Sequence, residues 1–239
     1  MKAQKYFIPL ESNPELFSEL IHRLGVSPSL AFHDVLSLEE ADLLALVPRP
    51  TLALILAIPA PNDYVIRQAE EEKDVVPHAK SGDEEDVMWY KQTIGNACGL
   101  YAILHAMSNG DARNYITAES HLSRLVEKCK PLDPQDRSQA LEDDEELAAA
   151  HKAVGERGDS APPENIEIEA DYAYMCFVKS HKNGHLYQLE GCRKGPIDLG
   201  PLEPEEDVLS EKALSAVQRF IKQAASDIGF SMLALAATQ

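Results

Sequence analysis

Apolar residues follow a helical spacing in several stretches of the chain. Residues 14–24 place leucine and isoleucine on one helix face, and Asn13 is the expected N-terminal cap. "LSEKALSAVQRFIKQAASD" predicts an amphipathic helix near the end of the chain. "DPQDRSQALEDDEELAAAHKAV" predicts one helix or a helix pair, with Asp133 as a cap.

Other apolar stretches have the length and composition of strands. The run "TLALILAI" at 51–58 is continuously apolar, as expected of a central strand that is covered on both faces. "DYAYMCFVKS" and "HLYQLEG" predict two strands joined by a turn at "HKNG", and "FSMLALAAT" predicts a last strand. The pattern as a whole predicts an α/β (α+β) protein, in which helices flank a central sheet that is mainly antiparallel or mixed.

In two stretches the apolar residues follow neither the helical nor the strand spacing. Residues 67–86 are charged and broken by proline and glycine, so we interpret them as a solvated connection with some helix. "GERGDSAPPENIEIEA", at 155–170, holds two glycines, two prolines and several acids, and it predicts a mobile loop or linker. The sequence shows no internal repeat, and its 239 residues suit one domain.

Composition and charge narrow the classes of partner. A formal net charge of −18 argues against a nucleic-acid partner, because phosphate binding needs clustered Lys and Arg; it suits a basic or neutral protein partner. The N-terminus lacks the apolar core of a signal peptide, and the longest apolar run is too short to span a bilayer. Four cysteines are too few for a disulfide scaffold. We therefore expect a protein of the cytosol or the nucleus, with no membrane partner.

Cys98 stands where a polar loop turns into an apolar helix that is predicted to run to about residue 107. Unpaired N–H groups and the helix dipole favour thiolate there, and they predict a pKa lowered from about 8.5 towards neutrality. Gly95 and Gly99 would leave little steric cover, so that a substrate backbone could approach. The Gln92 side chain could donate to an oxyanion together with the Cys98 N–H, a pair that can contribute roughly 3–4 kcal/mol. From these residues alone, an inert, buried cysteine stays an open alternative.

The segment "QTIGNACG" resembles the active-site segment of the ubiquitin carboxyl-terminal hydrolase family, papain-like thiol proteases that cleave after the last glycine of ubiquitin. "PLESNPE" and "DVLSLEEADLLALVPRP" are similar to the family's N-terminal region, and "NGHLYQLEG" to its C-terminal hairpin. The resemblance implies a single catalytic domain over 1–239, a knotted chain path and a crossover loop at about 151–169 above the active site. It also implies a monomer that binds ubiquitin, whose basic tail would fit an acidic surface, and that needs no metal or organic cofactor.

Carried over residue by residue, the family's oxyanion glutamine falls on Gln92 and its nucleophile on Cys98. The orienting acid, an Asp in the family, falls on Glu190. The general-base histidine falls on Ala173, and residues 171–180 contain no histidine at all. Loss of such a base typically costs on the order of 10²–10⁴ in rate. The resemblance therefore predicts a deubiquitinating thiol hydrolase that, in this chain, binds ubiquitin with little turnover.

Three explanations of Ala173 stay open. It is an engineered substitution, a natural loss that leaves a non-catalytic ubiquitin-binding module, or a change for which His181 or His185 substitutes. Retention of the other motif residues favours the first, and a hairpin turn lies at the wrong end of the strand for the third. His105 lies two helical turns from Cys98 and cannot act as its base.

Two further interpretations concern the cysteines. A redox-responsive thiol at Cys98 is a weaker alternative to the hydrolase. A zinc site formed by Cys176, His181, His185 and Cys192 is disfavoured, because the spacing matches no common zinc motif and strand side chains alternate between faces.

Overall fold

The apolar run that predicts a central strand forms the middle of a six-stranded sheet. The computed structural model describes residues 4–60, 62–158, 172–224 and 229–238. Its strands are β1 Leu30–Asp34, β2 Thr51–Pro59, β3 Tyr172–Lys179, β4 His185–Leu189, β5 Ile197–Pro201 and β6 Ser231–Ala237. They are ordered β1-β6-β2-β3-β4-β5, and every neighbouring pair is antiparallel.

Eight helices surround this sheet in the described residues. They are α1 Pro14–Arg23, α2 Ala41–Leu44, α3 Asn62–Glu71, α4 Cys98–Ser108, α5 His121–Cys129, α6 Pro134–Glu142, α7 Glu145–Gly155 and α8 Glu211–Ala224. None of the helices in these ranges is long and apolar enough to cross a membrane. The mixed α/β class and the antiparallel sheet are confirmed.

Predicted caps explain where several helices begin. The Asn13 side chain accepts hydrogen bonds from the first backbone N–H groups of α1, and Asp133 does the same for α6. The stretch that allowed one helix or two forms a pair, because Asp144 caps a new helix, α7, directly after α6 ends.

The core lies on both faces of the sheet, as expected for β2. Ala53, Ile55 and Ala57 pack in one cluster with α1, α4 and α5, whereas Leu54 and Leu56 alternate with them and pack in a second cluster with α8. A continuous apolar strand is therefore what two covered faces require.

The 67–86 connection contains some helix, as predicted, since its first five residues belong to α3, which ends at Glu71. Two other features differ from the sequence prediction. The segment "GPIDLG", for which the sequence pattern predicts no strand, contributes an edge strand, β5. The crossover loop cannot begin at 151, because residues 151–155 continue α7, where the buried His151 ring lies 4.7 Å from that of Phe7. Residues 159–169 of that loop lie outside the described residues, so the loop and the knot stay predictions.

Candidate active site

All four residues carried over from the family motif line one cleft of about 610 Å³. Cys98 is the first residue of α4, and Gln92 lies in the loop that precedes this helix. Ala173 is the second residue of β3, and Glu190 directly follows β4. The sheet and α4 thus bring together side chains that are up to 98 positions apart in the sequence.

The Cys98 thiol lies beside the start of β3. Its Sγ is 3.8 Å from the carbonyl oxygen of Tyr172. Although the residue is partly exposed, burial of the thiol raises the pKa of Cys98 to about 11; the backbone N–H groups of Gly99 and Cys98 oppose the rise, and the charge of Glu190 adds to it. The predicted lowering towards neutrality is therefore wrong, because burial outweighs the helix N-terminus.

This pKa predicts how Cys98 reacts with a small electrophile. Since the thiolate is the nucleophile, alkylation of Cys98 by iodoacetamide should rise about tenfold per pH unit from pH 7 to pH 10. The measurement is mass spectrometry of the labelled peptide in a Cys192→Ser variant, which removes the exposed cysteine of the same cleft. A plateau of the rate near pH 7 would contradict the raised pKa.

Gln92 is held by both its backbone and its side chain. Its N–H donates to the carbonyl of Gly191 over 2.8 Å, which joins the Cys98 loop to the turn after Glu190. Its Nε2 donates to the carbonyl of Ile94 over 3.1 Å. The side chain is thus placed at the cleft, and its oxyanion role stays a prediction.

The two glycines of the loop face the protein rather than a substrate. A Cβ added at Gly95 would lie 2.3 Å from the Tyr6 ring, and one at Gly99 would lie 3.2 Å from Leu10. The expectation that these glycines admit a substrate backbone is therefore wrong. Asn96, between them, also lines the cleft and has φ 59°, a left-handed conformation that Asn tolerates better than most residues.

Ala173 lies on the same side of the sheet as the Glu190 carboxylate. It pairs with Ile58 of β2 and packs against the cluster that contains Met175 and Tyr64. Tyr64 also contacts the Glu190 carboxylate, so the methyl group of Ala173 and that carboxylate face one region of the cleft.

No histidine lines this cleft. All eight histidines of the chain fall within the described ranges: His22, His33, His78, His105, His121, His151, His181 and His185. None of them is among the residues around the cleft. His185 instead pairs with Asp198 over 2.9 Å at the far end of the hairpin, and His181 lies in its turn, so neither stands in for residue 173.

His105, on the Cys98 helix, has a structural role. It is fully buried, and its Nε2 accepts a hydrogen bond from the backbone N–H of Tyr90 over 3.0 Å. Burial lowers its pKa to about 3, so the ring stays neutral. This agrees with the prediction that it is not the base of Cys98.

Glu190 is buried, with 3% of its surface exposed, and three side chains donate to its carboxylate. The Tyr64 hydroxyl lies 3.2 Å from Oε2, Gln68 Nε2 lies 3.3 Å from Oε1, and Arg193 Nε lies 3.1 Å from Oε2. Burial raises the pKa of Glu190, and the charge of Arg193 opposes that rise. Trp89 fixes the backbone at this point, since its indole N–H donates to the Glu190 carbonyl over 3.1 Å.

Sequence analysis did not identify the residues that hold this acid. Tyr64 and Gln68 lie four residues apart on α3, and of the two only Gln68 falls in the stretch 67–86 that was interpreted as a solvated connection with some helix. Their spacing would have placed them on one helix face, but nothing in it indicates a partner more than 120 positions away.

The cysteine and histidine residues considered for zinc are dispersed. Cys176 is buried in the core, whereas Cys192 is exposed at the cleft. Within the described ranges, no group of three or more His, Cys, Asp or Glu side chains is arranged to hold a metal ion.

Comparison with known proteins decides the family. The model of "Ubiquitin carboxyl-terminal hydrolase, family 1" matches residues 7–222. The chain belongs to this family. A ubiquitin carboxyl-terminal hydrolase of Aplysia californica is 35% identical over 222 residues, covering 92% of this chain and 97% of the relative. That of Drosophila melanogaster is 33% identical over 231 residues, covering 97% of each chain.

A solved structure supports the fold of this ubiquitin carboxyl-terminal hydrolase. The UCH37 catalytic domain of Trichinella spiralis, solved bound to ubiquitin vinyl methyl ester, superposes with a TM-score of 0.74 at 23% identity, covering 99% of this chain and 98% of that one. The fold is therefore the papain-like fold of the family. As a family member, the chain is a thiol hydrolase of the deubiquitinase class.

Proposed function

We propose that this ubiquitin carboxyl-terminal hydrolase binds the C-terminal tail of ubiquitin in the Cys98 cleft and hydrolyses it slowly, because residue 173 supplies no base. One observation carries the proposal: Cys98, Gln92 and Glu190 line the same cleft as Ala173, and no histidine does. The nucleophile and the orienting acid are present, but a methyl group stands where the family has the histidine that carries protons from the thiol to the leaving amine.

Ubiquitin as the partner is supported from two sides. The Trichinella spiralis domain with the same fold was solved bound to ubiquitin vinyl methyl ester. The net charge of −18 suits a basic ligand, which an acidic surface attracts by long-range steering.

The chemistry of the cleft is acyl transfer to sulfur. The Cys98 sulfur attacks the carbonyl of the terminal glycine, and the oxyanion accepts hydrogen bonds from Gln92 and the Cys98 N–H in this proposal. An imidazole at 173 would take the thiol proton and pass it to the leaving amine, and then activate the water that releases ubiquitin. Without this group the thiol, whose pKa is about 11, stays almost entirely protonated at neutral pH, and both steps are slow.

The second candidate function is a ubiquitin-binding module without any catalytic role. The ion pair of Glu190 with Arg193 favours it, because a structural role in this buried pair accounts for the acid without any role in catalysis. The two candidates differ in one result, the recovery of turnover when histidine is placed at 173.

Binding of ubiquitin tests the part that both candidates share. We expect intact ubiquitin to bind this chain at least tenfold more tightly than ubiquitin that lacks its C-terminal tail, because only the intact form has the tail that occupies the cleft. Isothermal titration calorimetry with the two ligands is the measurement, and the matched variant Val65→Arg places a bulky cation at the cleft wall. Equal affinity of both ubiquitin forms would contradict a tail-binding cleft.

A further inference from the structure

The cleft has open space next to the methyl group of Ala173. The cleft has a volume of about 610 Å³, within the roughly 300–1,000 Å³ of small-molecule pockets, so it accommodates a five-membered ring beside a substrate chain. Cys98, Tyr64 and Gln68 also line this cleft.

The carboxylate that faces this space has acceptor capacity left. A carboxylate has about four lone-pair positions, and Glu190 receives donors from Tyr64, Gln68 and Arg193 only in the described residues. Burial and the nearby Glu190 raise the pKa of Tyr64, so that its hydroxyl stays a donor and does not compete as a base. One further N–H donor can therefore be oriented by Glu190.

We infer that the space beside Ala173 is a binding site for free imidazole, which supplies the proton transfer that the chain lacks. The inference rests on the proposed function of the cleft. One ring nitrogen donates its N–H to Glu190, and the other faces Cys98. The ligand class is a small, neutral, planar base that has both a donor and an acceptor nitrogen.

The reaction balances without any further reagent. Imidazole accepts the proton of the Cys98 thiol as sulfur bonds to the glycine carbonyl carbon, and imidazolium returns that proton to the amine as the C–N bond breaks. Imidazole then accepts a proton from water, whose oxygen attacks the thioester, and imidazolium protonates the departing Cys98 sulfur. The sum is hydrolysis of one amide bond, and imidazole is regenerated.

Chemical rescue tests the site. The initial rate of hydrolysis of a ubiquitin C-terminal fluorogenic amide is measured against imidazole concentration, after subtraction of the rate with a Cys98→Ala variant. We expect a saturable increase on the order of tenfold or more, a fraction of the 10²–10⁴ that a positioned base supplies. The increase should grow as the pH rises through the pKa of free imidazole, since only the neutral ring accepts a proton.

Two matched comparisons make the test specific. 1-Methylimidazole keeps a basic nitrogen but has no N–H for Glu190, so it should stimulate much less than imidazole. Ala173→Leu fills the space and should abolish the stimulation, with Ala173→Val in between, where the stimulation is the ratio of each variant's rate at saturating substrate with imidazole to its rate without imidazole. Absence of stimulation, equal stimulation by the two bases, or undiminished stimulation of Ala173→Leu would overturn the inference.

Failure of the imidazole site and failure of the proposed function give different results. If only the site is absent, Ala173→His hydrolyses the substrate and free imidazole does nothing to the parent chain. If the proposed function is wrong, ubiquitin does not bind through its tail, or Ala173→His is as slow as the parent.

Discussion

Arg137→Met should lower the free energy of unfolding by about 3–5 kcal/mol, because it removes the guanidinium partner of the buried Glu85 carboxylate and leaves that carboxylate with the His78 ring. Arg137 is fully buried, and its Nη1 donates to Glu85 Oε1 over 2.8 Å. The same guanidinium donates to the backbone carbonyls of Trp89 and Cys129. Urea unfolding followed by circular dichroism measures the loss.

Controls separate the ion pair from the loss of side-chain volume. The double variant Arg137→Met/Glu85→Leu should be more stable than the Arg137→Met single variant, since it also removes the buried carboxylate, although carbonyls stay without donors. Lys152→Gln breaks an exposed pair with Glu156 and should cost under about 0.5 kcal/mol. A loss below about 1 kcal/mol for Arg137→Met would contradict this account of the pair.

The ion pair of Arg137 with Glu85 also stabilises the Cys98 cleft, since it holds the segment between Glu85 and Gln92 in place. Arg137 binds the Trp89 carbonyl, and the Trp89 indole in turn donates to the carbonyl of Glu190. The two segments that carry Gln92 and Glu190 are thus tied together through buried hydrogen bonds.

Local patterns in the sequence predict most of the fold. The structure confirms the helix caps at Asn13 and Asp133 and the strand β2, which is covered on both faces. These features depend on neighbouring residues or on the local pattern of apolar residues. The edge strand β5 was not predicted, because its five residues include Gly200 and Pro201 and it is held by pairing with β4.

Features that depend on distant residues could not be predicted. The donors to Glu190 come from α3, and the pKa of Cys98 depends on how deeply the thiol is enclosed rather than on its place in a helix. Gly95 was interpreted as an opening for substrate, yet the Tyr6 ring covers it, because the segment around residues 5–7 pairs with the loop. Sequence motifs identified the residue types of the site, whereas their surroundings required the fold.

Ala173→His should raise the rate of hydrolysis of a ubiquitin C-terminal fluorogenic amide on the order of 10²–10⁴-fold. Imidazole at this position lies in the same cleft as Cys98 and Glu190, so it can both accept the thiol proton and be oriented by the acid. Ala173→Gln is the matched control, since a polar side chain that cannot carry a proton should leave the rate close to that of the parent.

The position of the Glu190 carboxylate also affects how fast the Ala173→His variant is. Glu190 stands where the family has Asp, and its carboxylate is already shared by Tyr64, Gln68 and Arg193. Because catalytic groups need placement within ~0.5 Å, Ala173→His/Glu190→Asp should be at least as fast as Ala173→His alone.

The turnover of Ala173→His beside the parent, with affinity for ubiquitin measured in the same samples, is the most direct test. The account predicts nearly unchanged affinity, a rate at least 10²-fold above that of the parent, and loss of that rate when Cys98 is also replaced by Ala. Equal rates for the parent and Ala173→His, with ubiquitin bound by both, would contradict the claim that residue 173 is the position of the missing base.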